Sequence, residues 1–179
     1  HPLGERARNN RWWLTVTSFA LGSTLSGGLI GLALGAAGSQ IDLPSWPALG
    51  FAVLAGVADL VGIRAPGPKR QVNERWIGTY RGWIYGAGFG IQLGLGVTTF
   101  VVTWGVYAVF LFELAAGQLA GSMIGMTFGL GRSVALMLVG RVDRPSRLES
   151  FHRRMASLAR PVHLGTALGL VLLGASGLA

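Results

Sequence analysis

A chain of 179 residues that is 51% hydrophobic and 12% charged, with 29 glycines and a mean hydropathy of +0.52, is too apolar for an ordinary soluble domain. Its formal charge of +8 and pI near 11.5 would suit nucleic acid, but the positive charge borders apolar stretches and forms no aromatic-studded basic face. Anionic lipid headgroups are therefore the expected partner, with no nucleic acid, and the absence of cysteine excludes disulfides, thiolate metal sites and any thiol relay within the chain.

The distribution of charge organises the rest. All but one of the 15 Lys and Arg residues fall in three segments, Arg6 to Arg11, Arg64 to Arg81 and Arg141 to Arg160; the exception, Arg132, lies inside an apolar stretch. The intervening turns carry only acid, Asp42 and Glu113. By the positive-inside rule the basic segments are cytoplasmic and the acidic turns lie outside. The expectation is an all-α, multi-pass protein of the bacterial-type inner membrane forming a single transmembrane domain over 1–179, with its amino terminus cytoplasmic.

Five apolar runs are long enough to be spans, because a helix needs about 20 mostly apolar residues to cross the hydrocarbon core. The first runs from Trp12 to Ala37 and shows no cleavable signal-peptide pattern. The second, Trp46 to Ile63, is short and follows Pro44 and Pro47, which suit a turn and a helix start. The third, Trp83 to Phe112, is long enough to require tilt, and the fourth runs from Leu114 to Gly140. The fifth begins at Val162; a further helix outside these 179 residues would make six. Between the fourth and fifth, residues 145–160 read as an interfacial amphipathic helix, with Leu148, Phe151, Met155 and Leu158 opposite Arg147, Arg153 and Arg154, and with Pro161 separating it from the last span.

Internal repetition points to hairpin units. Glu5 and Arg6 with Arg11 and Trp13 lead into the first run, as Glu74 and Arg75 with Arg81 and Trp83 lead into the third. Glycines also recur every four residues: Gly27, Gly31 and Gly35 in the first run, Gly82, Gly86, Gly90 and Gly94 in the third, and Gly117, Gly121, Gly125 and Gly129 in the fourth. That spacing stacks them on one helix face, where a neighbouring backbone can approach closely. Static packing and a mobile helix lining a path both fit. Close glycines, namely Gly27 and Gly28, then Gly86, Gly88 and Gly90, and then Gly94 and Gly96, weaken helix propensity and mark where an unwound turn is expected.

Polar groups inside the runs are the candidate site. Asp59 lies roughly 8 Å, and Arg132 about 13 Å, from the cytoplasmic ends of their runs at a rise of 1.5 Å per residue. Uncompensated charges there are costly. They are expected either to be structural, paired with each other or snorkelling to the inner interface, or to form a proton or anion site in which Arg132 neutralises the ligand and Asp59 titrates. Gln92, Thr98 and Thr99 are the other candidate path residues, Gln92 because its amide needs partners. The three histidines, His1, His152 and His163, map to the cytoplasmic side. No metal-ligand cluster and no nucleophile beside a base is visible, so no cofactor, metal or enzymatic activity is expected.

The Phe128-Gly-Leu-Gly131 stretch followed by Val134 to Val139, together with the Gly-rich first and third runs, resembles the membrane domain of the CcdA/DsbD cytochrome c biogenesis family and its wider LysE-type relatives. The resemblance implies a compact six-helix inner-membrane scaffold carrying reducing equivalents or small solutes. Thiol transfer does not carry over, since the family's thiol carriers use paired intramembrane cysteines. Two functions follow: a small-solute or ion transporter with a polar path among the first, third and fourth spans, or a non-catalytic subunit or anchor bound to other membrane subunits or to copies of itself.

Overall fold

Most of the buried residues among those described are Gly, Ala or Ser, and the architecture follows from that. The computed structural model describes residues 4–5, 9–68, 75–98, 101–141 and 145–178. Within them the chain is all-α: α1 Trp12–Gln40, α2 Trp46–Val61, α3 Arg75–Thr79, α4 Gly82–Gly94, α5 Gly105–Ala116, α6 Gln118–Leu138, a short 3-10 turn Val139–Arg141, and α7 Pro145–Leu178. Three of these, α1, α6 and residues 146–177 of α7, are long and apolar enough to cross a membrane; α2 and α5 are shorter apolar helices.

The breaks between helices have local causes. Asp42 adopts φ 44 in the turn after α1, a left-handed conformation that Asp tolerates better than most residues. α2 carries Pro47 in its first turn and stops at Gly62, whose φ of 83 turns its N–H back onto the carbonyls of Ala58 and Asp59. A single residue, Gly117 with φ 79, separates α5 from α6.

Two sequence expectations change here. The run from Trp83 to Phe112 is not one helix: α4 ends at Gly94, Gly96 takes φ 78, and the described residues between there and the start of α5 at Gly105 are not helical. Gly86, Gly88, Gly90 and Gly94 leave α4 with little propensity to continue past its end. Conversely, α7 is continuous where Pro161 was expected to separate an interfacial helix from a span. The helix survives because Ser157 to Val162 are all exposed, so the carbonyl that loses its donor is not trapped in the interior.

Helix α1 is the axis. On one face, a Cβ added at Gly27, Gly31 or Gly35 would lie 2.2, 2.0 or 2.3 Å from the carbonyl oxygens of Gly125, Gly121 and Gly117, so α1 and α6 touch backbone to backbone. Farther along, Gly129 does the same against the Ser23 carbonyl at 2.1 Å. On another face, Gly86, Gly90 and Gly94 of α4 press on the carbonyls of Thr15, Phe19 and Ser23 at 2.4, 2.1 and 2.3 Å. Helix α2 packs chiefly on α7, where Gly56 meets the Ala167 carbonyl and Gly174 the Leu49 carbonyl, each at 2.5 Å. Helix α5 joins the two groups, packing on α1, α6 and α2, with Ala52, Ala55 and Ala108 buried among Phe51, Trp104, Phe112 and Leu170.

Candidate functional site

Breaking a helix inside a packed bundle exposes its unpaired carbonyls on one side of the gap and its unpaired N–H groups on the other. Here the gap lies between α4 and α5. Its α4 side is level with the middle of α1, since Gly94 rests against Ser23. Each side is met by one of the two ionisable residues singled out in the sequence.

At the carbonyl side, Arg132 of α6 donates from Nη1 to the Leu93 oxygen at 2.8 Å, and its guanidinium sits 5.1 Å from the centre of the Phe128 ring. The Thr98 hydroxyl donates to the Gln92 carbonyl. At the N–H side, Asp59 of α2 accepts the Trp104 N–H on Oδ1 at 3.1 Å and the Thr103 hydroxyl on Oδ2, while the Gly105 N–H donates to Thr103 Oγ1 at 3.0 Å. A cation therefore faces the negative end of α4 and a carboxylate the positive end of α5, the arrangement that helix dipoles favour.

This overturns the expected Asp59–Arg132 pair. The two residues share no partner, and each is satisfied by the backbone of a different half-helix. The physical reason is that a broken helix offers each charge a fixed, oppositely signed partner, which a continuous third span would not. Gln92, partly buried, lies two residues before the end of α4, and Thr98 is exposed in the gap. Thr99 lies outside the described residues.

Further groups surround the break. The Asp59 carbonyl is 3.1 Å from His163 Nε2 on α7, so His163 sits beside the break. Trp104 Nε1 donates to the Ile63 carbonyl at 3.0 Å, and the Tyr107 hydroxyl to the Pro66 carbonyl, tying the strand-like stretch after α2 to the start of α5. Among the described residues no three His, Asp or Glu gather as a metal site.

Sequence reasoning misplaced one residue altogether. Glu113, read as part of an outer acidic turn, is inside α5 and only 1% exposed. Its Oε2 has no hydrogen-bond partner. The signal was present: Val106 to Phe112 before it and Leu114 to Ala116 after it are almost wholly apolar, and Gly117, four residues on, is the better helix terminus.

A second polar cluster closes the other end of α1. Glu5, 5% exposed, accepts the Thr15 hydroxyl on Oε2 at 2.8 Å and the Tyr85 hydroxyl on Oε1. Beside it is a cavity of about 320 Å³ lined by Glu5, Trp12, Phe19, Tyr85 and Phe89 among others. These bonds fasten the amino-terminal segment to both α1 and α4.

With this geometry in view, the chain is similar to two curated proteins. It is 31% identical over 142 residues to "Methylamine utilization protein MauF" of Paracoccus versutus, a match covering 73% of this chain and 52% of that protein. It is 30% identical over 181 residues to the protein of the same name from Paracoccus denitrificans, covering 94% of this chain and 65% of that protein. The chain thus spans between about half and two thirds of the length of the curated relatives it matches. No family model matches it. No solved structure matches it either.

Proposed function

We propose that the chain is a multi-pass protein of a bacterial-type inner membrane that moves a small solute through a path opening at the break between α4 and α5, and that it serves methylamine utilization. In this reading α1, α2, the α4–α5 pair, α6 and α7 are five crossings, the third of them interrupted. The basic segments place the amino terminus in the cytoplasm. The single observation that supports transport is the interrupted crossing with Arg132 and Asp59 at its two ends. Irregular backbone is tolerated at membrane depth only where protein buries it or water reaches it, and discontinuous helices are a recurring way to build solute sites. The glycine contacts of α1 fit the same reading, because smooth backbone surfaces let helices slide as well as pack.

The relatives' name directs attention to methylammonium as the first solute to try. The chain has no cysteine, so a single Thr98→Cys variant gives a clean probe of water access to the break. In oriented membrane vesicles a membrane-impermeant maleimide should label Cys at 98 from one side, and proteoliposomes preloaded with methylammonium should exchange labelled methylammonium faster than protein-free liposomes. Asp59→Asn should slow the protein-dependent exchange. Exchange no faster than in empty liposomes would remove methylammonium as the solute. No labelling from either side would overturn the path and leave the chain as an anchoring subunit of a larger complex.

A further inference from the structure

We infer that Glu113 is a proton-carrying group set into the contact between α5, α6 and α1, and that solute movement is coupled to proton uptake and release at its carboxyl. The inference rests on the transport reading above and adds its energy source.

Among the described residues the other buried polar side chains are satisfied: Ser23 donates to the Gly129 carbonyl, Ser26 to that of Gly22, and Asp59 is held by Thr103 and Trp104. Glu113, equally buried, has an oxygen with nothing on it. Unsatisfied groups of this kind are rare enough in folded proteins to need a reason.

Its surroundings supply one. A Cβ at Gly125 would lie 3.0 Å from Glu113 Oε1, and one at Gly121 would lie 2.7 Å from the Glu113 carbonyl, so α6 presents glycine where this residue lies. The same two glycines carry the contact with α1, their carbonyls facing Gly31 and Gly27. The carboxyl therefore presses on the crossing of α1 and α6.

Charge around it is sparse. Helix α1 has no titratable side chain between Trp12 and Gln40. Helix α6 contributes Arg132, engaged with Leu93, and α2 contributes Asp59, engaged with the α5 start. On α5 itself the Tyr107 hydroxyl is turned to Pro66. Helix α7 carries Arg147, Glu149, His152, Arg153, Arg154, Arg160 and His163, of which His163 reaches the Asp59 carbonyl. Among the described residues no cation pairs with Glu113.

Ionised, the carboxyl only accepts hydrogen bonds, and it faces helices whose N–H groups are spent in their own ladders; protonated, it is uncharged and gains an O–H donor. A proton from water on one side adds to a carboxylate oxygen to give the acid, and the same O–H bond breaks to release it on the other side. No further reactant is needed. Because the two forms differ in charge and in donor capacity at a backbone-to-backbone crossing, they favour different spacings of α1 and α6.

The test uses the whole chain in proteoliposomes and has two arms. A hydrophobic carbodiimide, which activates only the protonated carboxyl, is applied across a pH series and the adduct on Glu113 is located by peptide mass; labelling should rise severalfold as pH falls. Labelled-methylammonium exchange is then followed with the same pH on both sides and protein-free liposomes subtracted. The wild type should show a pH profile, and Glu113→Gln should exchange with a flat one. An absence of Glu113 labelling at every pH, or a Glu113→Gln variant that keeps the wild-type profile, overturns the inference. If the wild type exchanges nothing, the methylammonium reading falls, while the carbodiimide series, needing neither solute nor variant, still decides whether Glu113 takes up a proton.

Discussion

Replacing Gly129 by leucine should abolish the folded protein, whereas the same replacement at Gly131, two residues along the same helix, should leave it intact. At Gly129 the new Cβ would stand 2.1 Å from the Ser23 carbonyl oxygen, a main-chain atom that cannot swing away, and the rest of the side chain would follow it into α1. The helices must separate, which also breaks the Ser23 hydroxyl bond to the Gly129 carbonyl at 2.8 Å and loosens the adjoining contact at Gly125. Overpacking typically costs about 1–3 kcal/mol and occasionally more, and a backbone separation that also forfeits the Ser23 bond and the Gly125 contact lies above that range. A domain with a total stability of about 5–15 kcal/mol loses much of its folded population to such a change. At Gly131 no atom lies within 4 Å, and a leucine there points outward, where an apolar side chain is welcome in lipid. Monodisperse yield in mild detergent, followed by size-exclusion chromatography, reads both. Equal behaviour of the two variants would contradict the α1–α6 contact.

The second large effect concerns the broken crossing. Asp59→Ala and Arg132→Met should each destabilise the protein, and their double mutant should show the sum. Asp59 accepts two hydrogen bonds at the start of α5, and Arg132 donates one to the end of α4. Hydrogen bonds to charged groups contribute about 1.5–3 kcal/mol, so each single variant should lose an amount of that order. Because the two residues share no partner, the coupling measured in a double-mutant cycle should stay within about 0.5 kcal/mol. Unfolding by SDS titration gives the four free energies. A double mutant markedly more stable than the sum of its singles would restore the ion pair that the sequence alone points to.

How far the sequence reaches is best judged at particular residues. The apolar runs correspond to where helices lie, because length and hydropathy are properties of a segment by itself. The weak point at Gly94 and Gly96 was legible for the same reason, since helix propensity is local, but Gly27 with Gly28 and Gly86 with Gly88 and Gly90 carried the same signal and stay helical because packing holds them. The spacing of four among Gly27, Gly31 and Gly35 says that they share a face, but nothing in α1 says that the opposing face is Gly125, Gly121 and Gly117. That knowledge requires the fold. Asp59 and Arg132 illustrate the limit most clearly. Two opposite charges in apolar runs suggest one another as partners, yet the actual partners are backbone groups that exist only because a third segment unwinds. Glu113 was hidden for the opposite reason, since a lone acid between two apolar stretches reads as a turn until Gly117 is recognised as the true break.

The pairing of α2 with α7 has a consequence for how the protein is made. The face of α2 formed by Ala48, Ala52, Gly56 and Asp59 reaches the lipid early in synthesis, but Ala167 and Gly174, which cover part of it, emerge only after α1 to α6. At elongation rates of about 5–20 residues per second, α2 waits on the order of ten seconds for its mate. Through that interval it depends on transient company from the insertion machinery or from α5. A premature stop after α6 would release a product in which α2 keeps α5 but leaves the face that meets Ala167 uncovered, and quality-control proteases that survey the bilayer would find it there.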